Sequence, residues 1–150
     1  MAHTFTNLLT HVIFSTKDRR PLIQPEWRSD LHAYLGGIIR ELGGKATAIN
    51  GPADHVHLLV SAPAALSVAE MVRVLKTNSA RWINRECGGK KGFAWQTGYG
   101  AFSVSQSNVP AVVKYIQEQV EHHRRVTFQE EYLEFLKRNR IEYDERFLWG

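Results

Sequence analysis

The sequence predicts an α+β fold in which an antiparallel β-sheet carries two helices on one of its faces. Short runs rich in β-branched and aromatic residues alternate with two long stretches whose apolar residues recur every three or four positions. The segments follow the order strand, helix, strand, strand, helix, strand, and two more helices come after them. This order folds most simply into the ferredoxin-like, or RRM-like, βαββαβ arrangement, with the first and third strands at the centre of the sheet.

The first strand and the first helix are defined by composition and by the residues at their ends. Residues 7–16 form an apolar run, and residues 17–21 form a basic turn after it. Pro25 suits the first turn of a helix, because that position needs no backbone N–H. The helical spacing of apolar residues then continues until Gly43 and Gly44, which end the helix.

A hairpin and a second helix come next. Residues 45–50 and 54–60 are predicted strands, joined by a Gly-Pro turn. Ser67 opens a capping box for a helix that extends to about residue 86. The glycine-rich basic loop at 88–92 lacks the spacing of a P-loop, so it does not indicate nucleotide binding.

The last third of the chain contains two strand segments and two helices. Residues 93–95 and 99–105 are predicted to be extended, and a helix with a first-turn proline is predicted at 109–124. A capping box beginning at Thr127 starts a final short helix. The tail at 143–149 has three aromatic residues, so we expect it to pack against the domain.

Composition limits the class of protein. A chain of 150 residues with 43% hydrophobic and 23% charged residues fits one globular domain, residues 1–150. The net charge of +4 and the pI near 9.4 favour a polyanionic partner. Cys87 is the only cysteine, so an internal disulfide is excluded, and no secretion signal or membrane-spanning run is evident. We therefore expect a cytoplasmic protein.

Two histidines two residues apart are the first candidate functional feature. Side chains alternate faces along a strand, so His55 and His57 share one face while Val56 and Leu58 point to the other. Two imidazoles on one face can converge on a metal ion, although the same pattern also occurs on a half-polar sheet face. Asp54 could support a metal ligand or cap the turn, and the sequence favours the turn.

The helix predicted at 109–124 carries the second candidate feature. At 100° per residue, Tyr115, Gln119 and His122 fall on one side, next to the apolar stripe. Most helix tyrosines only place their hydroxyl in water at a boundary. Together with the histidine pair and the basic charge, however, a phenol nucleophile and a metal ion would suit attack on a phosphodiester.

These motifs carry a resemblance to a known family. His55-Val56-His57 resembles the histidine-hydrophobic-histidine motif of HUH nucleases, and the Tyr-x-x-x-Gln segment at 115–119 resembles the tyrosine helix of their single-tyrosine transposases. The segments at 14–17, 95–103 and 143–146 also look like signatures of this family. The chain thus resembles the small transposases of bacterial insertion sequences, including the relatives associated with repetitive extragenic palindromes (REP).

The resemblance implies a function and a set of site residues. It implies a homodimeric transposase that cuts and rejoins single-stranded DNA at hairpin-flanked ends. It makes Tyr115 the nucleophile of a 5′-phosphotyrosine intermediate. His55, His57 and Gln119 become ligands of a divalent ion, Mg²⁺ or Mn²⁺, and the tyrosine helix often serves the partner chain's histidines. No motif role falls on His122 or His123.

Three other kinds of site do not fit this sequence, and one alternative function remains. No serine-nucleophile elbow exists, Leu59 stands where a histidine-triad hydrolase needs histidine, and structural zinc sites need more ligands. The serious alternative is a non-catalytic module that binds a nucleic-acid hairpin and stacks bases on Tyr99 and Phe102. Both interpretations assign phosphate contacts to a set of basic residues: Lys17, Arg19, Arg20, Lys76 and Arg81.

Overall fold

A computed structural model describes residues 3–87, 92–123 and 125–149. Its centre is a four-stranded antiparallel sheet in the order β2-β3-β1-β4. The strands are β1 (Leu8–Ser15), β2 (Lys45–Asn50), β3 (His55–Ala62) and β4 (Gly100–Ser103). The predicted α+β, ferredoxin-like fold is therefore confirmed, and so is the central position of the first and third strands.

Two long helices, α1 (Pro25–Glu41) and α2 (Val68–Glu86), close one face of the sheet. Pro25 occupies the first turn of α1, and the Ser67 side chain accepts a hydrogen bond from the backbone N–H of Glu70 at the start of α2. Gly43, just after α1, adopts φ 87°, a conformation that glycine reaches without a steric penalty. Apolar side chains of β1 and β3 pack against both helices: Val12, Phe14, Val56, Leu58 and Val60.

The predicted strand at 93–95 is wrong, and the one at 99–105 is shorter than expected. Only Trp95 makes a bridge, to Thr16, while β4 is limited to Gly100–Ser103. Trp95 instead serves packing: its ring meets Phe14 edge-on at 4.8 Å, and its indole N–H donates to Ser79. An aromatic run thus looked like a strand although it is a loop that covers the core.

The helix predicted at 109–124 is divided into α3 (Val109–Gln117) and α4 (Gln119–His122). Asn50 at the end of β2 explains the break. Its side-chain amide donates to the carbonyls of Ile116 and Gln117, both at 3.0 Å. In a continuous helix those carbonyls would accept from backbone N–H groups four residues later, so the amide replaces that pattern.

Helix α5 (Phe128–Arg138) lies on the face of the sheet opposite α1 and α2. Its capping box at Thr127 is confirmed. A second apolar cluster joins this helix to the sheet and contains Ile13, Phe102, Phe128, Tyr132 and Leu136. The prediction that the aromatic tail packs is confirmed only for Trp149, which contacts Phe128 and Tyr132, because Tyr143 and Phe147 are exposed.

Parts of two predicted elements lie outside the described residues. The glycine-rich loop predicted at 88–92 falls largely outside the described residues, as does position 124 at the end of the predicted helix. Across the described ranges, no helix has both the length and the apolar character needed to cross a bilayer.

Candidate active site

The alternation of side chains along β3 sets the direction of the two histidines. Val56 and Leu58 enter the core formed with α1 and α2, so His55 and His57 point to the opposite face. Pairing with β1 places His57 across from Ile13 and His55 across from Ser15. Helix α5 covers this face, and both imidazoles are fully buried.

Each histidine has its Nδ1 atom engaged by a second residue. Asp54 Oδ1 lies 2.7 Å from His55 Nδ1, and His11 Nε2 lies 2.8 Å from His57 Nδ1. Partners of this kind fix the ring orientation of metal-binding histidines and leave Nε2 for the metal. The sequence interpretation of Asp54 as a turn cap is therefore wrong, because its carboxylate holds the His55 ring.

A carboxylate from α5 lies at the point where the imidazoles converge. Glu131 Oε1 is 2.9 Å from His57 Nε2, 3.0 Å from His123 Nε2 and 3.4 Å from His55 Nε2. One ligand-type atom from each of these four residues lies within 4.8 Å of the others. Imidazole nitrogens and a carboxylate oxygen form a donor set that divalent transition ions accept.

Tyr115 reaches the same cluster within one chain. Its hydroxyl donates to Glu131 Oε2 and lies 3.4 Å from His122 Nε2. The phenol ring centre is 5.8 Å from that of His57. Gln119 is buried nearby, with its amide N–H donating to the Tyr115 carbonyl. The structure thus brings together His55, His57 and Tyr115, the residues that two distant motifs predicted.

Comparison with known proteins agrees with this geometry. The family model described as "Transposase IS200 like" matches residues 4–119. The chain belongs to the IS200-like transposase family. Every motif that suggested this family in the sequence, apart from the 143–146 segment, lies inside the matched region.

Individual relatives of this transposase cover most of its length. It is 28% identical to the transposase for insertion sequence element IS200 of Salmonella typhimurium over 127 residues, which is 81% of this chain and 82% of the relative. It is also 28% identical to the ISDra2 transposase TnpA of Deinococcus radiodurans over 116 residues, covering 73% and 81% of the two chains.

A solved structure confirms the fold. The REP-associated tyrosine transposase bound to a REP hairpin superposes with a TM-score of 0.61 at 16% identity. The match covers 84% of this chain and 74% of that one. Because the identity is low, the likeness supports the shared fold and no assignment of individual residues.

Burial and charge shift the ionisation of the site in opposite directions. Burial lowers the pKa of His57 to about 4, despite its hydrogen bond to Glu131. Burial also opposes the charged form of His55, but the hydrogen bond to Asp54 and the negative charges of Asp54 and Glu131 outweigh it and raise its pKa. The pKa of Glu131 is held well below its usual range, because hydrogen bonds from the imidazoles overcome the cost of burial. The carboxylate therefore stays ionised among the histidines.

The Tyr115 phenol is harder to ionise than a phenol in water. Burial is the main cause, and the neighbouring charge of Glu131 adds to it, so the pKa of Tyr115 lies above its usual range. A phenol that attacks phosphate needs its proton removed or its charge offset. Glu131 accepts the hydrogen of this hydroxyl, and His122 Nε2 lies 3.4 Å from its oxygen.

The basic residues predicted to contact DNA lie in two places. Lys17 and Arg19 belong to a 3₁₀ turn directly after β1, at the end of the sheet that carries His55, and exposed Arg20 follows. The Arg19 guanidinium lies 5.2 Å from the centre of the Trp149 ring. Arg81 is exposed on α2, on the other side of the sheet. DNA contact by these side chains stays a prediction.

Lys76 and Phe102 are committed to internal contacts, whereas Tyr99, the other predicted stacking residue, is half-buried with its ring centre 5.8 Å from the Lys76 ammonium. The Lys76 ammonium donates to the carbonyls of Gln96 and Gly98, and burial lowers its pKa to about 8. Phe102 is buried and stacks on Phe135 of α5 at 5.2 Å. The RRM-like sheet face that a hairpin-binding module would offer to bases is therefore covered by this helix.

Two residues of the cluster were missed by the sequence interpretation. His123 follows the tyrosine helix, and Glu131 lies in the first turn of α5. Both lie beyond the region that the family model matches. Two sequence features could have pointed to them: the adjacent pair His122 and His123, and the acidic first turn after Thr127. That acidic turn is also typical of an ordinary capping box.

Proposed function

We propose that this transposase cuts and rejoins single-stranded DNA at hairpin-flanked ends through a 5′-phosphotyrosine intermediate on Tyr115. The observation that carries the proposal is the Tyr115 hydroxyl within the cluster of buried imidazoles and a carboxylate. The solved REP-associated tyrosine transposase was bound to a REP hairpin, which makes a hairpin a reasonable substrate to test here.

The chemistry needs no nucleotide cofactor. The Tyr115 phenol oxygen forms a bond to phosphorus as the bond from phosphorus to the 3′ oxygen breaks. The phenol gives its proton to Glu131 Oε2, which already accepts that hydrogen bond, and the departing 3′ oxygen gains a proton from solvent. One phosphodiester replaces another, so attack by a different 3′-hydroxyl reverses the step without an external energy source.

Side chains around Tyr115 prepare this step. Glu131 Oε2 accepts the phenol hydrogen, and His122 Nε2 lies 3.4 Å from the same oxygen. These contacts hold the nucleophile toward the histidine face.

His55, His57 and Gln119 would hold a divalent ion, Mg²⁺ or Mn²⁺. The residues fit this role, because both Nδ1 atoms are fixed by neighbours and the buried Gln119 Oε1 has no hydrogen-bond partner within the described residues. A bound divalent ion polarises a phosphate oxygen and offsets negative charge in the transition state.

Lys17, Arg19 and Arg20 would hold the DNA backbone beside the site. Their turn follows β1, where the backbone N–H of Thr16 donates to the carbonyl of Asp54 at 2.9 Å. Phosphate contacts here would place the strand next to His55. Lys76 and Arg81 would contribute to a second phosphate surface on α2, Lys76 only if it leaves its carbonyl partners.

The homodimer and a cytoplasmic location belong to the same proposal. A dimer is the expected state for this family, and a chain with one cysteine has no need of an oxidising compartment. Sedimentation of the purified chain checks the first point, since a monomer mass at assay concentrations would contradict it.

The decisive experiment is trapping of a covalent adduct. Incubation with single-stranded hairpin DNA and Mn²⁺ should give a protein-DNA species that survives SDS. Tyr115→Phe should abolish it, whereas Tyr132→Phe, which removes a hydroxyl from a buried tyrosine on α5, should retain it. DNA binding without any adduct would instead support the non-catalytic module.

A further inference from the structure

Glu131 divides its two carboxylate oxygens between two groups. Oε1 faces three imidazole nitrogens at 2.9 to 3.4 Å, from His57, His123 and His55. Oε2 accepts the hydrogen of Tyr115 and lies 3.4 Å from His122 Nε2. A single side chain thus joins the histidine cluster to the nucleophile.

The hydrogen-bond directions at His55 favour a cation between it and Glu131. Its Nδ1–H points to Asp54, so a ring that carries its hydrogen there presents the Nε2 lone pair toward Glu131 Oε1, 3.4 Å away. This nitrogen is buried and makes no hydrogen bond within the described residues. A buried lone pair and a buried carboxylate oxygen that face each other are satisfied by a positive ion between them.

The donor chemistry also favours an added carboxylate. Two imidazoles and an amide oxygen carry no negative charge, whereas Mg²⁺ and Mn²⁺ sites in proteins usually include carboxylate oxygen. The Glu131 carboxylate is buried among these residues, with Oε1 2.9 to 3.4 Å from three imidazole nitrogens. A burial of this kind is costly for an anion unless positive charge accompanies it.

We propose that Glu131 is a bridging residue: with His123 it adds to the metal ligands His55 and His57 through Oε1, while Oε2 positions the Tyr115 phenol at that metal. The inference rests on the proposed function only for the role of Tyr115. Both added ligands come from the C-terminal segment after residue 119, beyond the matched part of the family. The last helix is then a component of the active site.

Metal binding in the absence of DNA tests whether Glu131 is a metal ligand. Titration of the full chain with Mn²⁺ in a calorimeter should show at least about tenfold weaker binding for Glu131→Gln. Glu134→Gln, an exposed residue of the same helix, is the matched control and should bind as the parent does. Equal or tighter binding by Glu131→Gln would overturn the proposal, because it would show that the carboxylate only occupies the space of the metal.

Adjacent histidines give a second control. His123→Ala should weaken Mn²⁺ binding, whereas His122→Ala, which faces Oε2, should leave it unchanged within about twofold. Equal losses in both variants would contradict the assignment. Circular dichroism on each variant separates loss of a ligand from loss of folding.

The rate of adduct formation tests whether Glu131 positions the Tyr115 phenol. At saturating Mn²⁺, Glu131→Gln should slow adduct formation at least about tenfold while the dissociation constant for hairpin DNA stays near the parent value. An unchanged rate at saturating metal would overturn the positioning role. If the parent forms no adduct at all, the proposed function fails, and the calorimetric result on Glu131 still stands by itself.

Discussion

The two faces of the sheet are closed by different sets of contacts. On the face under α1 and α2, Val56 and Leu58 meet apolar side chains, and dispersion and burial hold the layer together. The other face also has an apolar cluster under α5, but there His55 and His57 meet this helix through the Glu131 carboxylate. One strand supplies both faces because its side chains alternate. The stable apolar layer fixes the backbone from which the polar layer aims its histidines.

Two histidines, His32 and His57, illustrate the same difference. His32 of α1 has its Nε2 buried with no hydrogen-bond partner within the described residues, and Arg28 is its charged neighbour. His57 has a partner at each nitrogen, His11 and Glu131. A histidine on the apolar side is only tolerated, whereas one on the polar side belongs to a network. Metal, pH and substitution should therefore affect the two faces differently.

Loss of a core ring should give the largest effect on stability. Phe14→Ala removes a fully buried ring that packs edge-on against Trp95, and we expect a loss of about 4 kcal/mol in the free energy of unfolding. Phe135→Ala on the half-buried opposite side should cost less, about 2 kcal/mol. Urea denaturation measures both, and equal losses would contradict the difference between the faces.

Added Mn²⁺ should stabilise the protein through the histidine face alone. At a concentration one hundred times the dissociation constant, a single site adds about 2.7 kcal/mol to the free energy of unfolding. His57→Ala should remove this gain, while His32→Ala should keep it. Thermal unfolding with and without Mn²⁺ measures this stabilisation. If His57→Ala is still stabilised by Mn²⁺, the metal binds at another place.

The carboxylate behind His55 should have a smaller effect. Asp54→Asn keeps the shape but removes the charge that lies 2.7 Å from His55 Nδ1. We expect Mn²⁺ binding about tenfold weaker, equivalent to about 1.4 kcal/mol. Asp30→Asn, an exposed position on α1, should bind as the parent does. Calorimetry measures Mn²⁺ binding by both variants. Unchanged binding in Asp54→Asn would show that the contact between Asp54 and His55 does not affect the metal.

His32 should give the smallest effect, as a pH dependence. Burial first, and Arg28 second, lower its pKa from 6.5 to about 4. Between these values the unfolded chain binds a proton that the folded chain does not, so stability falls as pH falls through this window. Allowing for partial exposure, we expect a loss of about 1 kcal/mol from pH 7 to pH 5. His11 and His57, whose pKa values are also lowered, keep part of this pH dependence. In urea denaturation His32→Gln should therefore reduce the fall in stability between pH 7 and pH 5 without removing it, and an identical slope would refute the assignment.

Sequence reasoning found the parts of the site that lie inside regular elements. His55 and His57 could be placed on one face because a strand has a period of two, and Tyr115 could be placed beside Gln119 because a helix has a period of 3.6. It failed at residues 93–95, where aromatic composition suits a loop over the core as well as a strand. It also failed at the break after Gln117, which depends on the Asn50 amide from another element.

The amino-acid sequence alone determined the order of strands and helices, the direction of the histidine pair and the family, because these follow from local periodicity and from motifs of fixed spacing. Only the tertiary structure decided that Asp54 holds His55, and that His123 and Glu131 complete the cluster. Glu131 follows His57 by 74 positions along the chain. No local pattern encodes a contact over that distance. It exists because α5 folds back over the sheet and buries the Glu131 carboxylate against the histidines and Tyr115.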